Sequence, residues 1–373
     1  MMQMTTQWIA TDGDLQSCCS QLEAATYIAL DTEFERVRTY YPRLCLLQLA
    51  TEQGIWLLDP MHLDKLVLIK SALSHADALI IHAARQDLEV LNYALDLLPA
   101  TLFDTQVAAA FLGLGDQVGY ATLVQQTQGL ELEKSQTRTN WCQRPLTAAQ
   151  LQYAADDVRY LGPLYQQLQQ QLEQQGKSTW MQEEMCDILG QHIWQPDPPS
   201  IARRLLGKRS RLDPNAQERF VMLVVWREKV AMQRNLPREW VLGNDLLRQI
   251  AELNPTSMEQ LQRLKTLSSK MLDRYGKFII QTVSTPTPEN KTHKDQTLAD
   301  DRTLLRKLRN VTTQVALKNH ISPGLLASRK TLLELLEGDN DCPLLHGWRQ
   351  RLLGEQLLDI IATHPQNHTT TAS

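Results

Sequence analysis

The chain has no apolar run of the roughly 20 residues that a membrane span takes. Its first residues, Met1 to Gly13, lack the basic start and apolar core of a secretory signal. No membrane association is expected, and the chain reads as cytoplasmic. Cysteine is scarce. The six residues Cys18, Cys19, Cys45, Cys142, Cys186 and Cys342 form no Cys-x-x-Cys pair and no disulfide-like spacing. They are expected to be reduced thiols. The nine histidines form no His-x-His pair, and with unclustered cysteines this speaks against a zinc enzyme. The Gly-rich stretch Gly113 to Gly119 lacks the Lys-Ser/Thr ending of a phosphate-binding loop, which excludes that kind of nucleotide site.

What is present is a chain of 373 residues with 43% hydrophobic and 21% charged side chains, ordinary for a globular protein of two or three domains. The net charge of −4 hides an asymmetry. Up to Trp194, 11 Lys and Arg stand against 23 Asp and Glu; from Gln195 onward, 27 stand against 19. An acidic half suits metal ions, and a basic half suits a polyanion such as nucleic acid.

Thr26 to Leu30 is β-branched, aromatic and apolar, and reads as a buried strand running into Asp31-Thr32-Glu33. Side chains two apart on a strand share a face, so Asp31 and Glu33 project together and Thr32 turns away. Paired carboxylates repel each other and call for a compensating cation. Mg²⁺ or Mn²⁺ is the usual one for oxygen ligands. Leu44 to Leu49 and Gly54 to Leu58 extend the sheet as an antiparallel meander. Ala78 to Ile81 is a further short strand, and Gln86 to Leu98 a helix with Asp87 near its start. Strands first, then β–α alternation, describe a mixed sheet with helices on its faces.

Asp104 reads as a helix N-cap. Lys134 to Arg144 is polar and basic with one aromatic, Trp141, and could contact phosphates and stack a base, or simply pack its tryptophan on the core. Thr147 to Gln175 reads as one long helix opened by a Thr147–Gln150 capping box. On it, Tyr153 and Asp157 are i and i+4 and share a face, while Asp156 at i+3 stays open as an alternative. Linkers are expected at Pro196–Ser200 and Ser284–Thr297, with helices in the two stretches that follow them.

Asp31, Glu33, Asp87, Tyr153 and Asp157 together resemble the motif set of the ribonuclease D family, DEDD-type 3′–5′ exonucleases. Leu30 to Phe34 resembles its first motif, His82 to Glu89 its second, and Tyr153-x-x-x-Asp157 its third, in the branch that carries a tyrosine. Thr39 to Pro42 and Lys134 to Leu146 are also similar to the family. Trp226-Arg227-Glu228, Leu236-Pro237 and Tyr275-Gly276 resemble an HRDC module, with a fainter second copy.

The resemblance implies a ribonuclease H-like α/β domain over residues 1–200, then two small all-α HRDC-like domains over 208–286 and 298–366. It implies a metal-dependent 3′–5′ exoribonuclease that releases nucleoside 5′-monophosphates. Its substrates would be tRNA precursors and other structured RNA 3′ ends, and the chain would act as a monomer. Asp31, Glu33, Asp87 and Asp157 would hold two divalent ions, Mg²⁺ or Mn²⁺, and Tyr153 would orient the attacking water. His82, Lys134, Arg138 and Trp141 would contact substrate. A DNA exonuclease on the same fold and a non-catalytic nucleic-acid-binding scaffold are the alternatives. Deleting residues 205–373 is expected to weaken RNA binding more than chemistry.

Overall fold

In the computed structural model the described residues are 4–133, 136, 139–190, 196–207, 210–264, 267–284 and 302–364. They fall into two compact units. The first joins Met1–Phe34, Leu44–Gln191 and His293–Ser373; the second joins Glu35–Arg43 and His192–Thr292.

The first unit holds a six-stranded mixed sheet of order β1-β4-β3-β2-β5-β6. The strands are β1 (Thr6–Ile9), β2 (Ile28–Glu35), β3 (Arg43–Ala50), β4 (Ile55–Leu58), β5 (Leu79–Ile81) and β6 (Phe103–Asp104). β3 and β4 pair antiparallel, as the meander requires, and β5 runs parallel to β2 and β6. β1 escapes sequence patterning. It is four residues long, mostly exposed, and pairs parallel with β4. The central strands are buried along their length and give the core its aliphatic floor.

The helices of the sheet domain are α1 (Asp12–Glu23), α2 (Ile69–His75), α3 (Arg85–Leu95), α4 (Thr105–Phe111), α5 (Tyr120–Gln128), α6 (Ala148–Arg159), α7 (Leu161–Gln174) and α8 (Ser178–Gly190). The predicted capping box is formed: Gln150 N–H donates to Thr147 Oγ1 and Thr147 N–H to Gln150 Oε1. The long helix expected beyond it is instead two, α6 and α7, broken at Tyr160. The cause is Tyr120. Its hydroxyl donates to the Asp156 carbonyl (2.9 Å) and accepts from Tyr160 N–H (3.2 Å), the two groups a continuous helix would bond to each other.

The last helices, α15 (Arg302–Lys318), α16 (Pro323–Leu326), α17 (Arg329–Leu336), α18 (Gly347–Arg349) and α19 (Glu355–Ala362), belong to this same unit. The buried indole of Trp348 stacks near Trp180 and Phe111, at 6.0 and 4.9 Å between ring centres. Arg349 and the Trp348 Nε1–H both bind the Glu184 carboxylate, and the Lys177 ammonium donates to the carbonyls of Phe111 and His320.

The second unit contains α9 (Pro198–Leu206), α10 (Pro214–Arg234), α11 (Arg238–Val241), α12 (Asn244–Leu253), α13 (Met258–Gln262) and α14 (Ser269–Ser284). α9 occupies most of the stretch expected as a linker. Asp197 caps it and prolines open it, so a Pro-rich stretch that reads as a break is here a helix start. At its core the Glu228 carboxylate, fully buried, takes Arg227 (2.9 Å), Arg238 (2.7 Å) and the Tyr40 hydroxyl (2.8 Å). Asn235 Oδ1 accepts from the Tyr40 and Tyr41 amides, which anchors loop 35–43 among these helices. Gly276 packs closely on α13: a Cβ there would lie 2.6 Å from Met258 Cε, so a larger residue would have to displace the end of that side chain.

One expectation about the cysteines is corrected. Cys45 and Cys142 form a disulfide, with Cα atoms 4.9 Å apart across 97 residues of sequence. A pairing this distant has no spacing signal; the fold makes it by laying the 140–145 segment against β3. Cys18, Cys19, Cys186 and Cys342 are free thiols.

Candidate active site

β2 delivers Asp31 and Glu33 to one face, as strand alternation requires, and α6 delivers Asp157 to the same place. One carboxylate oxygen from each of the three lies within 4.8 Å of the others. Asp156, the alternative left open by spacing, turns away into a 2.8 Å ion pair with Arg159.

Asp87, on the first turn of α3, is buried beside this trio, and its Oδ1 is fixed by Thr32, from the amide at 3.1 Å and the hydroxyl at 2.6 Å. Thr32 therefore does turn from the carboxylate pair, but it is not idle. No local signal marks it, because its partner is 55 residues away. The turn leading to Asp87 is held by Asp104, whose carboxylate accepts from Ala83 and Ala84 N–H and also caps α4. Ala83 takes a left-handed φ of 59° there. Asp104 is thus the structural residue expected.

The electrostatics follow from crowding. Burial, and then the charge of Asp157, raise Asp31 well above the usual carboxylate range. Burial and the charges of Asp31, Asp157 and Asp87 push Glu33 up to about 9. Burial and Asp156 push Asp157 up to about 7, opposed by a hydrogen bond from Tyr153. Asp87 is raised by burial and by Asp31. Converging hard oxygen donors that resist ionising together are what a small divalent cation satisfies. The donor set therefore fits such an ion.

Tyr120 lies in the same field: burial, with the charges of Asp157 and Asp31, raises its phenol well above the ordinary value. It is a residue the sequence reading missed, and through the α6–α7 break it sets where Asp157 sits.

The residues expected to meet substrate divide differently. Lys134 and Arg138 lie outside the described residues. His82 has both ring nitrogens engaged. Nε2 faces the Val118 carbonyl (3.0 Å), which only accepts, so Nε2 carries the proton and Nδ1 accepts from Thr105 (2.9 Å). Burial lowers its pKa, so it stays neutral. Trp141, left open by the sequence between stacking a base and packing on the core, is 5% exposed, with its ring 6.0 Å from that of Tyr153. The reason is Arg144, whose five donors are all used internally. They reach the Asp59 carboxylate twice at 2.7 Å and the carbonyls of Trp141, Gln143 and Cys45. Arg144 clamps the segment to the sheet and leaves Trp141 no open face.

A family model described as 3′–5′ exonuclease matches residues 6–173, and an HRDC domain model matches 216–283. Ribonuclease D of Xanthomonas oryzae is 33% identical over 95% of this chain and 98% of its own length. That of Serratia proteamaculans is 34% identical over 96% and 99%. Among solved structures, Escherichia coli RNase D, an exoribonuclease involved in structured RNA processing, matches with a TM-score of 0.86. Its identity is 32%, over 97% of this chain and 100% of that one. Exonuclease domains of this type use divalent metal, and this chain carries an acidic cluster on β2 and α6. The chain belongs to the ribonuclease D family and is a 3′–5′ exoribonuclease.

Proposed function

We propose that this exoribonuclease trims the 3′ ends of structured RNAs, tRNA precursors among them, at a site built from Asp31, Glu33, Asp87, Asp157 and Tyr153. The observation that carries the assignment is the convergence of the Asp31, Glu33 and Asp157 oxygens within 4.8 Å, with Tyr153 hydrogen-bonded to Asp157. Asp31, Glu33 and Asp157 would hold one divalent ion, Mg²⁺ or Mn²⁺. Asp31 would be shared with a second, which Asp87 supports. When bound, such ions neutralise charge on the phosphate and acidify the attacking water.

The chain's own contribution is positional. Thr32 fixes Asp87, Tyr120 fixes the α6 terminus that carries Asp157, and the Arg144 clamp sets Trp141 against Tyr153. Tyr153 would hold the attacking water in line. Lys134 and Arg138 would supply phosphate contacts, and His82 would serve the site as a neutral ring with both nitrogens engaged. We assign residues 1–200, 208–286 and 298–366 to the nuclease and two HRDC-like modules, in a cytoplasmic monomer.

The test uses a 5′-labelled tRNA with a short 3′ extension and a DNA of matching sequence, each with Mg²⁺ and with EDTA. Stepwise shortening of the RNA, only with metal and lost in Asp31→Asn, is the expected result. Equal shortening of the DNA would overturn the RNA-specific reading, and metal-independent shortening would overturn the site.

A further inference from the structure

Helix α15 carries Arg302, Arg306 and Arg309 at i, i+4 and i+7. They share one exposed face, beside the buried stripe of Leu304, Leu308, Thr312 and Ala316. Arg329, the first residue of α17, joins Asn310 and Thr313 in lining the same cavity, of about 470 Å³. Among the described residues no carboxylate lines it.

This arrangement works against the helices that carry it. Like charges four apart destabilise a helix. Arg302 and Arg329 also stand at the first positions of their helices, where the dipole disfavours cations and favours anions. Four guanidiniums and two helix N-termini at one cavity become favourable together when an anion enters. The planar guanidinium fork fits phosphate oxygens two at a time. None of these arginines takes part in the acidic site or in the contacts that hold α15–α19 to the sheet domain.

We propose that this cavity binds backbone phosphates of the RNA substrate at a point other than its reacting 3′ end. The proposal rests on structured RNA being the substrate. Contacts of this kind position an RNA without reading its sequence, and they would give the enzyme a grip on the body of a folded molecule while its end is shortened.

The test uses the full chain and the double variant Arg306→Ala with Arg309→Ala, both exposed side chains. The probes are a hairpin RNA with a short 3′ tail and a single strand of about six nucleotides. Binding is measured in EDTA across about 50 to 200 mM salt, and hydrolysis with Mg²⁺. In the variant, hairpin binding should weaken about tenfold and its log K against log salt slope should become shallower by about 1 to 2, as for one or two lost phosphate contacts. Hydrolysis of the short strand should stay within about twofold. Unchanged hairpin affinity and slope would overturn the proposal, as would equal loss on both probes. A wild-type enzyme that binds the hairpin but shortens only the short strand would instead overturn the structured-RNA reading, with the binding comparison still deciding the cavity.

Discussion

Replacing Asp157 with asparagine removes one charge from the acidic cluster and keeps the side-chain shape and an acceptor for Tyr153. Without metal this should stabilise the first unit. Two unit charges about 4.8 Å apart repel by about 3.5 kcal/mol at an effective dielectric near 20. Partial protonation and solvent on these half-buried groups reduce that to about 1–2 kcal/mol at neutral pH.

The pH dependence has a definite sign. The folded pKa of Glu33 is raised from 4.5 to about 9. Between those values the unfolded chain has released a proton that the folded chain retains, so stability is fullest below about 4.5 and falls as pH rises toward 9. Asp157, raised from 3.8 to about 7, adds to the fall in the lower part of that window. Calorimetry in EDTA from pH 5 to 8 should show the sheet unit's transition drifting down in the wild type and less steeply in Asp157→Asn, by about 2–4 °C for each kcal/mol. Adding Mg²⁺ or Mn²⁺ should raise the wild-type transition, more so at pH 8 than at pH 6, because binding needs the ionised carboxylates. A variant less stable than wild type in EDTA at pH 8, or a wild-type transition that metal leaves unmoved, would refute the reasoning.

Asp31→Ala and Asp157→Ala should both lose hydrolysis of a labelled RNA by at least about 10³-fold while remaining folded by circular dichroism; near wild-type turnover in either would remove that residue from the site. Tyr153→Phe should keep metal-induced stabilisation and lose about 10²-fold in single-turnover rate. Trp348→Ala should cost the first unit about 3–5 kcal/mol, read by denaturant unfolding, because it empties the stack on Trp180 and Phe111. For the same reason, deletion of residues 205–373 should damage the catalytic body as well as RNA binding. This revises the expectation from sequence: α15–α19 cover Phe111, Lys177 and Glu184, so the shortened chain should show a lowered melting transition alongside weaker binding.

The sequence by itself determined the local features. The Asp31/Glu33 pair follows from strand alternation, the Tyr153/Asp157 pair from helical spacing, and the caps at Thr147 and Asp104 from side chains that bond their own next turn. Such signals span two to four residues and survive in a bare sequence. What only the tertiary structure decided involves partners far apart in the chain. Asp157 was chosen over Asp156 because Arg159 draws Asp156 off and β2 stands opposite Asp157. Thr32 holds Asp87 across 55 residues, and Cys45 meets Cys142 across 97. Arg144 became a clamp on the sheet because Asp59 and the Cys45 carbonyl converge on it. A hydroxyl from Tyr120, 40 residues before Tyr160, cut one expected helix into two. The last helices joined the sheet domain through Trp348 and Glu184. In each case the energy lies in a contact between distant segments, and no local pattern of residues records it.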